Sequence, residues 1–490
     1  MTEPRRGRDT RWGLALCAAL GIAYLATLSP GIRVETDVGE LQFVGYVLGT
    51  AHPTGYPLHT ALSWAFTHLI PVGSVAWRAN LLSALFAALA GGALFGALRS
   101  LALPRAPAAA AAACFGLLPT WWRYAVMAEV YTLHVLLLGL VWWALFLWRR
   151  RRERRWLWAA IAIYGLSLGH HLLIGLCLPG IALLVLGTDR RALSQPATLA
   201  WGLAWIALGL GQYGYLAWRF GDPDAIFAFR DSASPKVLWD YASGAVFHGY
   251  LGPPEGGALA RLRALLDQAG GQTLAACFLG LAAPLALRDR LAGAALGLTA
   301  ALHLGFAVVY GIEDIGPYLF PAAWAGAAAG AGGLTLAARA LAVRGPRGRL
   351  LALGAALAAP AWMAASNADA AQQEQARADA AWVQRLTDTA GSDAVFVLED
   401  WEAAVALWAH HYTEGGRERN LWVYPAKPTP EAIDRVRAYA AGRGGLTVAE
   451  QRGDIPEGLT VYCVGLDWTR ALKEAGARVS PATPGLTRLR

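Results

Sequence analysis

The chain has 490 residues, of which 56% are hydrophobic and only 16% charged. Soluble domains carry roughly 25% charged residues, so an ordinary soluble enzyme is excluded, and the apolar content also excludes disorder over most of the chain. Five cysteines exclude a disulfide scaffold, and the net charge of +8, from 39 Arg and 3 Lys against 34 acids, is distributed in a way that argues against nucleic acid. The arginines sit in short clusters between apolar runs, such as Arg149 to Arg155, which is the pattern that orients a bilayer protein.

Apolar stretches of bilayer length, about 20 residues, recur up to residue 365. Eleven spans are expected, at 12–30, 79–101, 106–121, 130–148, 156–170, 171–187, 197–218, 271–287, 291–310, 318–342 and 349–366. The spans at 106–121 and 156–170 are short, and 156–187 can be divided differently around Gly169-His170-His171. The first span reads as an anchor rather than a cleavable signal peptide, because its apolar part exceeds the usual length of roughly 7–15 residues. With Arg5, Arg6, Arg8 and Arg11 cytoplasmic, every second connection is Arg-rich. These connections hold Arg99 and Arg105, then Arg149 to Arg155, then Arg190 and Arg191, then Arg288 and Arg290, then Arg344, Arg347 and Arg349. Arg230, Arg261 and Arg263 fall in an outside loop and fit less well. The positive-inside rule then puts the C-terminus outside, and a bacterial inner membrane is the expected location.

Three segments face outward on this topology: the first loop 31–78, the loop 219–270 and the tail 367–490. The tail changes character. Ala368 to Asp388 reads as a polar amphipathic helix, 394–398, 421–424 and 459–464 as strands, and 401–412 and 430–442 as helices between them. Strands alternating with helices predict a small α/β domain. It has no glycine-rich phosphate loop and no obvious metal cluster. The expected architecture is therefore an all-α polytopic transmembrane bundle of about eleven helices over 1–366, with a small extracytoplasmic α/β domain over 367–490.

The first outward loop carries the densest chemistry. Glu35, Asp37 and Glu40 lie just beyond the first span, and a helix over 37–48 would make Asp37 and Glu40 i,i+3 neighbours. Paired carboxylates at a low-dielectric boundary suit acid/base work; acids in a first helical turn also simply favour the helix dipole. His52-Pro53-Thr54-Gly55-Tyr56-Pro57 cannot be regular helix, because both prolines remove donors and restrict the residues before them. A rigid turn carrying His52 and Tyr56 beside an acid pair has the form of a built site, or of a plain loop returning to the next helix.

Asp37-x-Gly39-Glu40 followed by Leu48-Gly49-x-Ala51-His52-Pro53-x-Gly55-Tyr56-Pro57-Leu58 resembles the first exported loop of the protein O-mannosyltransferase-like membrane glycosyltransferases of the GT-C class and their bacterial relatives. Trp77-Arg78-x-Asn80-Leu81-Leu82-Ser83, Ala128-Glu129-Val130-Tyr131-x-Leu133-His134, Gly165-Leu166-Ser167-Leu168-Gly169-His170-His171 and Asp314-x-x-x-Tyr318-x-x-Pro321 agree in the same order, over about 30–330. Thr36, Val38 and Thr54 depart from the usual Gly-Asp-Ser-Gly-Glu and His-Pro-Pro-Gly-Tyr-Pro patterns, which bears on acceptor preference.

The resemblance implies transfer of a sugar, mannose in the best-known relatives, from a polyprenyl-phosphate donor to a protein, lipid or glycan acceptor. It assigns the general base to Asp37, with Glu40 orienting the acceptor or binding a divalent metal. Arg78 and Arg123 are candidates for the donor phosphate, each with the alternative of an interfacial snorkelling residue. Glu129 is expected in the cavity, bonded to His52 or an arginine, or as a helix N-terminal acid. Asp314 and Tyr318 are expected to line the cavity. His170 is grouped with the substrate-binding candidates, although His170 and His171 together read as a structural pair, no third metal ligand having a recognisable spacing. The competing class is a transporter or flippase of lipid-linked glycans. That class predicts paired halves with broken helices, and no half-repeat is visible.

Overall fold

The computed structural model describes residues 3–253, 256–312, 314–343, 345–414, 420–448, 450–451 and 453–489. Of the orienting arginines, Arg344 lies outside these residues, as do the side chains of Arg5, Arg6 and Arg349. Among the described residues, five helices are long and apolar enough to cross a membrane: Val75–Ser100, Tyr131–Arg151, Arg290–Val309, Gly316–Ala342 and Pro346–Ser366. Each coincides with an expected span. Helix Val75–Ser100 shows how the sequence sets one. Ser74 caps it by accepting from Trp77 N at 3.2 Å, and its 26 residues extend about 39 Å against a hydrocarbon core of roughly 30 Å.

The other six expected spans are also helical, but shorter, displaced or broken. The first falls on Glu3–Ala26. The span expected at 106–121 divides into Arg105–Gly116 and Pro119–Ala125, with Pro119 opening a new helix as a first-turn proline does. Residues 156–187 divide into Arg154–Ser167, a 3-10 turn Leu172–Cys177 and Leu178–Thr188, the break falling at Gly169-His170-His171. The span at 197–218 parts between Pro196–Gly211 and Gly214–Gly221. The one at 271–287 is the second half of Gly257–Leu281, which kinks at Gly270 (φ 71°), plus Ala283–Ala286.

Small residues bring the helices close. A Cβ on Gly326 would collide with Ala276 O, and one on Gly209 with Gly165 O, the close approach that bundles without a hydrophobic driving force rely on. Leu199, Leu203 and Leu208 on one helix and Leu350, Leu357 and Trp362 on another are exposed, as lipid-facing side chains are.

After the helix Gln373–Ala390 the tail forms a five-stranded sheet. Its strands are β1 (Asp393–Leu398), β2 (Asn420–Pro425), β5 (Thr460–Val464), β6 (Val479–Thr483) and β7 (Leu486–Leu489), in the order β2-β1-β5-β7-β6. The short β3 (Thr447–Val448) and β4 (Gly453–Asp454) pair apart from it. β1 runs parallel to β2 and β5, with helices Trp401–Thr413 and Pro430–Ala440 as crossovers, whereas β6 and β7 form an antiparallel hairpin that the sequence pattern does not predict. Val395, Phe396 and Val397 of β1 and Leu407 and Trp408 of helix Trp401–Thr413 are all buried and make this part of the core.

The tail docks on the first loop. Helix Trp401–Thr413 lies against helix Val38–Phe43 so tightly that a Cβ on Gly39 would sit 2.7 Å from Ala406 N. Phe43 stacks on Tyr412 at 5.1 Å between centroids, and Phe227 meets Trp408 at 5.1 Å. The loop after Gly221 closes the same region, where Tyr241 donates to Ala51 O and Phe229 N to Thr50 Oγ1 at 3.0 Å.

Candidate active site

The first loop is held from beneath by helix Val75–Ser100. Asn80 donates to Ser29 O at 3.0 Å and accepts at Oδ1 from Gln42 Nε2 and Ala128 N, each at 2.9 Å. Ser83 Oγ accepts from Glu129 N at 3.0 Å. Asn80 and Ser83 therefore fasten the loop and the 126–130 turn to one helix. The loop itself carries Thr36, Leu48 and Tyr56 at positive φ (42°, 49° and 43°), a left-handed conformation that non-glycine residues hold only when their surroundings enforce it. Gly55 (φ 93°) packs under Leu216.

Asp37 precedes a helix shorter than expected, Val38–Phe43. Its carboxylate is 37% exposed, lies 3.4 Å from His52 Nε2, and accepts from Trp401 Nε1 at 2.8 Å. Glu40 points the other way and is fully buried. It accepts from His52 N at 2.5 Å, and its second oxygen lies 2.6 Å from His52 Nδ1. Glu40 thus grips His52, and the imidazole bridges the two acids. Tyr56 OH completes the row 3.2 Å from His52 Nε2. Burial alone would lower the His52 pKa, but Asp37 and then Glu40 outweigh it and raise it to about 10. Burial raises Glu40, against the pull of His52.

Two further carboxylates face this row. Glu129 is 2% exposed and raised well above the usual range by burial, then by Asp314 and Asp37. Its side chain meets Thr36 Oγ1 at 3.5 Å rather than the His52 or arginine partner expected for it. Asp314 accepts from Tyr124 OH and is raised to about 6, chiefly by burial. Tyr318 and Tyr131 stand 5.9 Å apart, and both flank His171, at 5.9 Å and 5.5 Å. His170 is tied to Val130 O at 2.9 Å and lies beside His59 and Tyr56.

The arginines separate. Arg123 donates to Glu35 Oε1 at 2.7 Å and keeps a 35% exposed side chain. Glu35 is also paired with buried Arg33, which reaches Asp379 of the tail at 3.2 Å. Arg78 donates instead to Ile70 O at 2.7 Å, closing the end of helix Pro57–Leu69. Asp37, Glu40, His52, Tyr56, Glu129, Asp314 and Tyr318 are thus brought together, Arg123 borders them, and Arg78 has a helix-capping role.

Trp401, Tyr124, Tyr131 and Arg33 join the site without having been candidates for it, and Glu35, expected only as one of three clustered acids, enters as the partner of Arg33 and Arg123. Ligand atoms of Asp37, Glu40 and His52 lie within 4.8 Å of one another. Two carboxylates and an imidazole suit a divalent cation, provided Glu40 turns one oxygen away from His52.

A helical bundle with this tail is a GT-C-like fold. It is similar to the crystal structure of ArnT from Cupriavidus metallidurans in the apo state, with a TM-score of 0.62 over 98% of each chain at 16% identity. It is likewise similar to ArnT bound to undecaprenyl phosphate, with a TM-score of 0.61 over 98% of each chain at 14% identity. In sequence, residues 37–194 match the family model described as the protein O-mannosyl-transferase TMEM260 N-terminal domain. The mouse protein O-mannosyl-transferase TMEM260 is 38% identical over 138 residues, which is 28% of this chain and 20% of the mouse protein. The sequence likeness therefore spans about a fifth of that relative. The matched segment holds Asp37, Glu40, His52, Tyr56 and Glu129, while Asp314, Tyr318 and Trp401 lie beyond it.

Proposed function

We propose that the chain is an integral membrane glycosyltransferase. It moves a sugar, with mannose the first candidate, from a polyprenyl-phosphate donor to a hydroxyl of a protein, lipid or glycan acceptor. The N-terminus is cytoplasmic, and 367–490 is an extracytoplasmic domain that closes the site. The family-model match over the acid-bearing loop supports this reading, as does a fold shared with an enzyme solved with undecaprenyl phosphate bound.

The observation that carries it is the state of Asp37. Among the four converging carboxylates, Glu40 is consumed by His52, Glu129 is buried, and Asp314 is bound by Tyr124. Asp37 alone of these combines exposure with two orienting donors, Trp401 Nε1 and the charged His52. In the reaction, the acceptor oxygen attacks the anomeric carbon and its proton passes to Asp37. The bond from that carbon to the phosphate oxygen breaks, with its electrons leaving on the phosphate. Arg123, held by Glu35 on one side and open on the other, stabilises the phosphate charge. His52 and Tyr56 hold the loop around the sugar. A divalent cation, where one is used, would be held by Asp37, Glu40 and a His52 that has given up its proton, and would supply Lewis-acid stabilisation of the phosphate.

The test uses the purified full chain in liposomes with radiolabelled mannosyl polyprenyl phosphate and a hydroxyl-bearing peptide. Label leaving the lipid with release of polyprenyl phosphate is the expected result. Label retained on the lipid across a panel of sugars and acceptors counts against the proposal.

A further inference from the structure

A cavity of about 570 Å³ lies far from the acid cluster, and its chemistry is the reverse. Four arginines converge on it from separate elements: Arg149 near the end of helix Tyr131–Arg151, Arg288 in the connection before the next span, Arg290 at the start of helix Arg290–Val309, and Arg339 on the helix Phe320–Ala342. Its one acid among the described residues, Asp289, is already occupied. It pairs with Arg149 through two hydrogen bonds at 2.5 and 2.9 Å and caps Ala292 N at 3.1 Å. Arg290 is turned onto Pro284 O and Leu285 O. Among the described residues, Arg288 and Arg339 have no ion-pair partner. Positive charge therefore exceeds negative in a concave space, where field lines concentrate.

The position identifies the ligand's source. Helix Val75–Ser100 meets the acid cluster at Ser83 and this cavity just past its end, at Leu101. Helix Tyr131–Arg151 meets the two at Tyr131 and Arg149. On each helix the separation is eighteen residues, or about 27 Å, close to the roughly 30 Å of a bilayer's hydrocarbon core. The two sites therefore sit at opposite membrane surfaces. The cavity's walls include Leu103, Leu291 and half-exposed Leu336, apolar surface on which acyl chains can lie.

We propose that this cavity binds the phosphate group of an anionic phospholipid, on the membrane face opposite the acid cluster. Lipid recognition by basic pockets between membrane helices follows the same physics. The test is the thermal stability of the full chain in neutral detergent, titrated separately with phosphatidylglycerol, phosphatidylcholine and inorganic phosphate. Phosphatidylglycerol is expected to stabilise at lower concentration than phosphatidylcholine, with inorganic phosphate ineffective. Replacing Arg288 and Arg339 together by Gln should weaken the phosphatidylglycerol response roughly thirtyfold. Native mass spectrometry of the same variant gives a second readout that does not depend on its melting temperature. An equal response to both lipids, or a phosphatidylglycerol preference retained by the variant, overturns the proposal. A matching response to inorganic phosphate overturns the lipid as the source.

Discussion

Trp401 Nε1 donates a hydrogen bond to Asp37 Oδ1 at 2.8 Å, across 364 residues of chain. The contact is prepared on both sides. Asp400 caps helix Trp401–Thr413 by accepting from Glu402 N at 2.9 Å and Ala403 N at 3.3 Å, which fixes the turn that carries Trp401. Gly39 lets that helix settle on the acid loop. The tail is therefore part of the site and not an appended module.

Trp401→Phe removes the N–H and keeps the ring. A hydrogen bond to a charged group contributes roughly 1.5–3 kcal/mol, so kcat should fall about tenfold to a hundredfold with KM changed little. Steady-state sugar transfer checks this. An unchanged kcat would mean that Trp401 only packs.

Gly39→Ala tests the docking itself. The new Cβ would meet Ala406 N and Val405 C, each at 2.7 Å, and backbone has little room to give. Overpacking of this kind costs about 1–3 kcal/mol. Limited proteolysis should release the tail sooner than in wild type, with activity falling in parallel.

The acid row was legible in the sequence because Asp37, Glu40, His52 and Tyr56 lie within twenty residues and two prolines fix the turn between them. The membrane helices were legible because apolar length is a local property. What joins distant segments was not. Nothing near Trp401 marks it as a partner of Asp37, and the Arg33–Glu35–Arg123 chain of ion pairs depends on how three elements meet. Arg78 was legible as a cation, but its partner, Ile70 O, is set by where helix Pro57–Leu69 ends. The break between Gly211 and Gly214 is marked in the apolar run only by Gln212, whose side chain turns onto Leu166 O at 3.0 Å, a partner set by the fold. The β6–β7 hairpin was missed because its strands are short and Pro481 interrupts the first.

His52 makes stability depend on pH. Its pKa rises from 6.5 to about 10 in the folded chain, so its contribution is full below pH 6.5 and is lost as pH climbs towards 10. One group changes stability by up to about 1.4 kcal/mol per pH unit within that window. The melting temperature of wild type should fall between pH 6.5 and 10, and that of His52→Asn should start lower and fall less. Parallel curves would place the titration elsewhere.

Burial, then Asp314 and Asp37, push the Glu129 carboxyl well above the usual carboxylate range, which favours its neutral form. Glu129→Gln keeps the shape and mimics that neutral form. Initial rates at pH 7 should stay within about threefold of wild type, while Glu129→Ala, which opens a void against Thr36, should lose more. A Gln variant as impaired as the Ala variant would require an ionised Glu129.

The central claim is that Asp37 takes the acceptor's proton, and Asp37→Asn tests it most directly, because the amide keeps the shape and can still accept from Trp401. The measurement is single-turnover transfer from a saturating lipid-linked sugar, with donor binding followed in the same preparation. The account predicts that the variant binds donor like wild type while transfer falls at least about a hundredfold. Transfer at the wild-type rate would contradict it.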